Sequence, residues 1–186
     1  MSLHVITPLI QPPSLQGFSR RSAWIKLDAL QPPGSFKIRG IGLLCEERAR
    51  QGATRFISSS GGNAGLAVAY AGQQLGIPVT VVVPETTTVR AKELIGQYGA
   101  EVRVHGPSWQ EANEHALSLM TTSDAFIHPF DNPIMWRGHA TIIDEIAQAG
   151  VRPDAIIVSV GGGGLFCGII EGLRRNGWND VAVVAV

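Results

Sequence analysis

From about residue 23 onward, short β-branched runs alternate with helix-length segments, and each transition carries Gly, Pro, Ser or Thr. This is the rhythm of βαβ units, so the expected class is α/β with a parallel sheet. Strands are predicted at 23–28, 55–58, 79–83, 101–104, 155–160 and 181–186. Several are apolar at consecutive positions, as parallel strands covered on both faces by helices should be. Helices are predicted at 36–51, 63–75, 89–98, 108–120, 134–149 and 165–176, with Gly52, Gly76, Gly99, Gly150 and Gly177 standing where they end. The loop 128–133, His-Pro-Phe-Asp-Asn-Pro, interrupts the alternation and reads as a boundary or crossover, or as a plain connection.

Composition narrows the function classes. The 186 residues are 45% apolar and 16% charged, and 15 basic side chains cancel 15 acidic ones. That argues for a compact globular protein and leaves no basic excess to bind nucleic acid or an anionic membrane. The opening residues lack the basic and apolar runs of a secretory signal, and no apolar run is long enough for a membrane span. Cys45 and Cys167 form no C-x-x-C pair and read as small buried hydrophobes in a reducing, cytoplasmic compartment. His4, His105, His115, His128 and His139 are scattered without metal-ligand spacing, so satisfied or exposed histidines and no metal site are expected. The four tryptophans read as core or interface, and Glu46, Glu47, Arg48 and Arg50 as a solvated helix face.

Three segments could carry chemistry. The first is Gln31-Pro32-Pro33-Gly34-Ser35-Phe36-Lys37-Ile38-Arg39-Gly40, a stiff loop with Ser35 as a candidate N-cap. Lys37, one of three lysines, then falls in the first turn of an apolar helix. The helix dipole and the apolar neighbours both lower a lysine pKa there, as an amine nucleophile requires; the alternative is a side chain that snorkels to solvent. The second, Ser58-Ser59-Ser60-Gly61-Gly62-Asn63-Ala64-Gly65, follows a strand and opens a helix, which suits a carboxylate or phosphate, or simply a tight turn. The third, Gly161-Gly162-Gly163-Gly164-Leu165, lets backbone approach a phosphate closely. Neither glycine-rich loop satisfies G-x-G-x-x-G or is followed by Gly-Lys-Ser/Thr, which leaves a small phosphorylated cofactor and an acidic substrate.

Taken in order, the three segments resemble the fold-type II pyridoxal phosphate enzymes, and among them the L-serine dehydratase (serine/threonine ammonia-lyase) family. Pro33-Gly34-Ser35-Phe36-Lys37-Ile38-Arg39-Gly40 is similar to its Schiff-base lysine motif, and Leu3-His4-Val5-Ile6-Thr7-Pro8-Leu9 to its usual opening. The resemblance implies the tryptophan synthase β-like two-domain fold, with a small domain at 31–133 inserted in a large domain made of 1–30 and 134–186. It implies pyridoxal 5'-phosphate held by Lys37, which would also act as general base. Phe36 would cover the cofactor ring, and Asn63 would meet the ring hydroxyl. Gly161, Gly162, Gly163, Gly164 and Leu165 would hold the phosphate, while Ser60, Gly61, Gly62, Asn63 and Ala64 would bind the substrate carboxylate. The implied reaction turns L-serine into pyruvate and ammonia, and L-threonine into 2-oxobutanoate, in a homodimer. The family pattern continues past Val186, where the partner of the ring nitrogen and a monovalent-cation (K+) loop are expected. Two alternatives stand beside this reading. One is a truncated, non-catalytic homologue binding the cofactor or a partner chain. The other is a threonine deaminase or serine racemase-type relative, which the wording Gly61-Gly62-Asn63-Ala64 disfavours.

Overall fold

The computed structural model describes residues 2–13, 22–130 and 132–186, so Asp131 of the 128–133 loop lies outside the described residues. The order of elements is β1 (Leu9–Ile10), β2 (Ile25–Lys26), a 3-10 helix at Asp28–Leu30, α1 (Lys37–Arg50), β3 (Arg55–Ser58), α2 (Asn63–Leu75), β4 (Val79–Val83), α3 (Val89–Gln97), β5 (Glu101–Val104), α4 (Trp109–Ser118), β6 (Asp124–Phe126), α5 (Pro133–Gln148), β7 (Ala155–Val158), α6 (Gly164–Arg175) and β8 (Ala182–Ala185).

A parallel four-stranded sheet runs β5-β4-β3-β6. Side chains alternate across its strands. Phe56 of β3 and Val79, Val81 and Val83 of β4 join the core under α1, α2 and α3, whereas Ile57 and Val82 pack on the opposite face against Ala112 and Ala116 of α4. Both faces are therefore covered, as the consecutive apolar residues predicted. Local chemistry sets several helix starts: Thr88 accepts from Ala91 N, Ser108 and Glu111 form a capping box, and Asn132 caps α5 ahead of Pro133.

The second packing unit is the helix pair α5 and α6, whose Ile142, Ile143, Ile146, Ile169 and Leu173 cover Val158 of β7 and Val181 before β8. Helix α5 also crosses α1. Both crossings are close because glycine lies at them: a Cβ on Gly138 would fall 2.2 Å from the Arg39 carbonyl oxygen, and one on Gly168 would fall 2.4 Å from the His139 Cβ.

Several expectations change. The strand predicted at 23–28 shrinks to Ile25–Lys26, which pairs antiparallel with a two-residue strand at Leu9–Ile10 that the sequence pattern did not show. Strand β6 was also missed; it is three residues long, and its first side chain, Asp124, pairs with Arg55 of β3. Strands β7 and β8 pair parallel but are packed on one side, and Ile157 is 73% exposed. Cys167 is half-buried rather than buried, Trp24 and Trp109 are exposed, and the face carrying Glu46, Glu47 and Arg48 is half-buried.

Candidate active site

In parallel α/β sheets, side chains and loops converge beyond the carboxyl ends of the strands. Here β3 runs into the loop holding Ser60–Ala64, its neighbour β6 into the loop holding Pro129 and Phe130, and β7 into the four glycines 161–164. The first two loops are joined at their roots, where Ile127 N donates to the Ile57 carbonyl at 2.8 Å and Ser58 Oγ donates to the Ile127 carbonyl at 3.2 Å.

Lys37 is the first residue of α1, as expected, but it neither extends to solvent nor pairs with a carboxylate among the described residues. Its Nζ donates to the Pro129 carbonyl at 2.8 Å. The ammonium stands 5.5 Å from the Phe36 ring centre and 5.1 Å from that of Phe130, between two aromatic side chains. Burial alone lowers its pKa below the ordinary lysine value. Ser35 does not cap this helix: Phe36 occupies the N-cap position in helical geometry without a side-chain cap, and Ser35 Oγ is buried and unpaired.

Phe130 links the lysine to the glycine loop. A Cβ on Gly162 would lie 2.7 Å from two Phe130 ring atoms, and one on Gly164 would lie 2.6 Å from the Phe130 carbonyl oxygen. Gly163, at φ +81°, has the left-handed conformation that a side chain would strain, and it caps α6. The loop therefore presents bare backbone, with Leu165 behind it in the first turn of α6, where helix N–H groups lack intrahelical partners.

The Ser60–Ala64 segment has the same character. Asn63 is exposed at the first position of α2, Ser60 Oγ accepts from Gly62 N at 3.3 Å, and Gly61 faces Thr87, whose methyl carbon would be 2.7 Å from an added Cβ. Among the described residues no hydrogen bond joins this segment to Lys37, whose Nζ bonds to Pro129; the two are related through β3, β6 and the Pro129 loop.

Behind Phe36 lies His139, which sequence reasoning treated as ordinary. It is 0% exposed, both ring nitrogens are unpaired, and its ring meets Phe36 edge-on at 5.2 Å. Burial, followed by the charges of Lys37 and Arg39, lowers its pKa to about 3, so it is neutral at pH 7. Pro129, Phe130 and His139 were not singled out in advance; the break in the pattern at 128–133 was the one available signal. No cluster of three or more metal-ligating side chains occurs among the described residues, and no helix there is long and apolar enough to cross a membrane.

Comparison with known proteins gives four consistent findings. Residues 2–186 match the family described as pyridoxal-phosphate dependent enzyme. The chain is 48% identical to an L-serine dehydratase of Dictyostelium discoideum, covering 99% of this chain and 57% of that protein. It is 46% identical to an L-serine dehydratase/L-threonine deaminase of Mus musculus, covering 100% of this chain and 58% of that one. A fungal L-serine ammonia-lyase from Rhizomucor miehei superposes with a TM-score of 0.94 at 38% identity, over 100% of this chain and 60% of the fungal chain. The chain thus spans somewhat under three-fifths of the length of the two dehydratases.

Proposed function

The chain belongs to the pyridoxal-phosphate dependent enzymes, and from that membership we propose that it serves the deamination of L-serine to pyruvate and ammonia, with L-threonine, giving 2-oxobutanoate, as a second substrate. The observation that carries the reading is Lys37, an amine desolvated between two aromatic rings and paired with a carbonyl rather than a carboxylate. Such an amine loses its proton more readily than a surface lysine, as imine formation and general-base work require.

The residues fit the cofactor. The bare backbone of Gly161, Gly162, Gly163 and Gly164, with the N–H of Leu165, suits a phosphate at the N-terminus of α6. Phe36 offers an aromatic face next to Lys37, and the exposed amide of Asn63 can meet a ring hydroxyl oxygen. When bound, the cofactor ring supplies an electron sink for negative charge at the substrate Cα. The chain does the rest. Backbone N–H groups of Gly61, Gly62 and Ala64, with the Ser60 hydroxyl, hold the substrate carboxylate. Lys37 Nζ, neutral, accepts the Cα proton, and the Pro129 carbonyl fixes where that nitrogen sits. The β-hydroxyl leaves as water after taking up a proton, and a water molecule then adds at Cα and displaces the nitrogen as ammonia, supplying the ketone oxygen, so that L-serine is converted to pyruvate and ammonia.

The division into a small domain, 31–133, and a large one, 1–30 with 134–186, belongs to the same proposal. It is supported by the four-stranded sheet falling within 55–126 and the β7–β8 pair falling outside it. A cytoplasmic homodimer is the matching assembly, in keeping with two free thiols.

The test is direct. Mixing the purified chain with pyridoxal phosphate should produce a visible absorption band that Lys37→Ala lacks, and L-serine should then yield pyruvate. A wild-type chain that stays colourless, or a Lys37→Ala chain that colours equally, refutes the reading.

A further inference from the structure

Arg39 follows Lys37 by two residues, and two steps along an α-helix turn about 200° around its axis. The two cations therefore leave opposite sides of the same turn. Arg39 is 0% exposed, and its guanidinium meets two carboxylates side-on. Nε and Nη2 donate to Asp28 at 2.6 and 2.8 Å, and Nη1 and Nη2 donate to Glu145 at 2.5 and 2.9 Å. Thr141 Oγ1, at 3.0 Å from Nη1, and Thr7 Oγ1, at 3.2 Å from Nη2, complete the shell. Lys26 Nζ donates to Glu145 at 2.5 Å and to Thr7, so two cations face two anions.

This cluster joins the N-terminal segment, the start of α1 and the second half of α5. Buried ion pairs are poor stabilisers, because desolvation offsets their attraction; their best-attested use is to specify one arrangement over others. Here there is something to specify. Helix α1 begins without a side-chain cap, so beyond the backbone bonds from Ile38 N and Arg39 N to the Ser35 and Phe36 carbonyls, at 3.5 and 3.0 Å, and the burial of Ile38, no cap fixes the rotation of its first turn. A planar fork clamped from two sides does set it.

We propose that Arg39 is a positioning residue for Lys37: the Asp28–Arg39–Glu145 clamp fixes the rotation of the first turn of α1 and so aims the Lys37 ammonium at the Pro129 carbonyl between Phe36 and Phe130. Its use in catalysis rests on Lys37 being the cofactor lysine, but the geometry can be tested without the cofactor.

With three lysines in the chain, reductive methylation with carbon-13 formaldehyde gives a simple NMR spectrum, in which the Lys37 signal is the one that Lys37→Arg removes. Asp28→Asn keeps the shape but turns an amide N–H toward the guanidinium. In that variant the Lys37 signal should move toward the position of a free lysine and titrate closer to the ordinary value. Thr141→Val, which removes one neutral partner, should shift it the same way by less. Uptake of pyridoxal phosphate by Asp28→Asn should weaken on the order of tenfold, as misplacement of a reacting group costs. If both variants keep native circular dichroism and leave the Lys37 signal and its titration unchanged, Arg39 holds segments together and aims nothing. If Asp28→Asn fails to fold, Thr141→Val decides alone. A wild-type chain that takes up no cofactor would defeat the proposed function and leave the NMR result standing.

Discussion

His139 makes the stability of this fold depend on pH in a window where few other groups act. In the unfolded chain the imidazole binds a proton below its ordinary value of 6.5, whereas in the folded chain it does so only near 3. Between those values the unfolded state holds more protons, so acid favours unfolding. Stability is fully present above pH 6.5 and is lost as pH falls toward 3. The slope is about 1.4 kcal/mol per pH unit, which amounts to a loss of about 1.3 kcal/mol between pH 7 and pH 5.5 and about 2.5 kcal/mol by pH 4.5. His139→Met replaces the ring with an adaptable apolar side chain that does not titrate. His4, whose pKa burial also lowers, acts in the same direction but is common to both proteins and cancels. Asp28 and Glu145, held below their ordinary values of 3.8 and 4.5, begin to cost stability only at lower pH. The measurement is urea unfolding followed by circular dichroism at pH 7, 6, 5.5 and 5 for both chains. Relative to His139→Met, the wild type should lose about 1.9 kcal/mol over that range, about 1.3 kcal/mol of it by pH 5.5. Parallel curves would mean that His139 finds a partner or water in solution, and the argument from its unpaired nitrogens would fail.

Gly65→Ala should be among the most damaging substitutions in α2, since its Cβ would lie 1.8 Å from the Ser60 carbonyl oxygen; the expected loss is about 3 kcal/mol in urea unfolding, with pyruvate formation lost alongside. Gly162→Ala drives a methyl into the Phe130 ring and Cβ and should weaken pyridoxal phosphate uptake on the order of tenfold; Phe130→Ala in the same chain removes the ring contacts but leaves the Cβ contact at 2.8 Å, so it should restore only part of it, a coupling that a double-mutant cycle reads directly. Burial, with Glu46 beside it, pushes the Cys45 thiol well above its ordinary value, so mass spectrometry should find Cys167 alkylated by iodoacetamide while Cys45 stays protected until the chain unfolds.

Most helices and the central strands were legible because their signals are local: glycine after an apolar face, β-branched runs, caps such as Ser108 with Glu111. The elements that were missed depend on distant partners. Strand β6 has no β-branched residue, and it exists because β3 offers a free edge and Arg55 a partner for Asp124. The start of α1 was placed to within one residue from Ser35, but for a reason that does not hold: Ser35 Oγ is unpaired, and Arg39 anchors that turn through Asp28, 11 residues away, and Glu145, 106 residues away. The glycine loops and Lys37 could be singled out because their residue types are costly unless used. Pro129, Phe130 and His139 are ordinary residue types, and their place at the site follows from β6 lying beside β3 and α5 crossing α1.

The first turn of α1 shows how one helix can hold two cations in opposite states. Burial works against the charge of both Lys37 and Arg39. For Arg39, hydrogen bonds and charge from Asp28 and Glu145 more than offset burial, and its pKa is raised. Lys37 has a carbonyl and two ring faces, which order the amine without repaying the loss of water, and its pKa is lowered. Had either carboxylate been on the Pro129 side, the lysine would be a locked ammonium, unable to act as nucleophile or base. The separation of about 200° between positions two apart in a helix keeps the acidic clamp away from the amine it orients. Chemical readiness at Lys37 thus depends on where the negative charge of this neutral chain is buried, as much as on the residues that touch the amine.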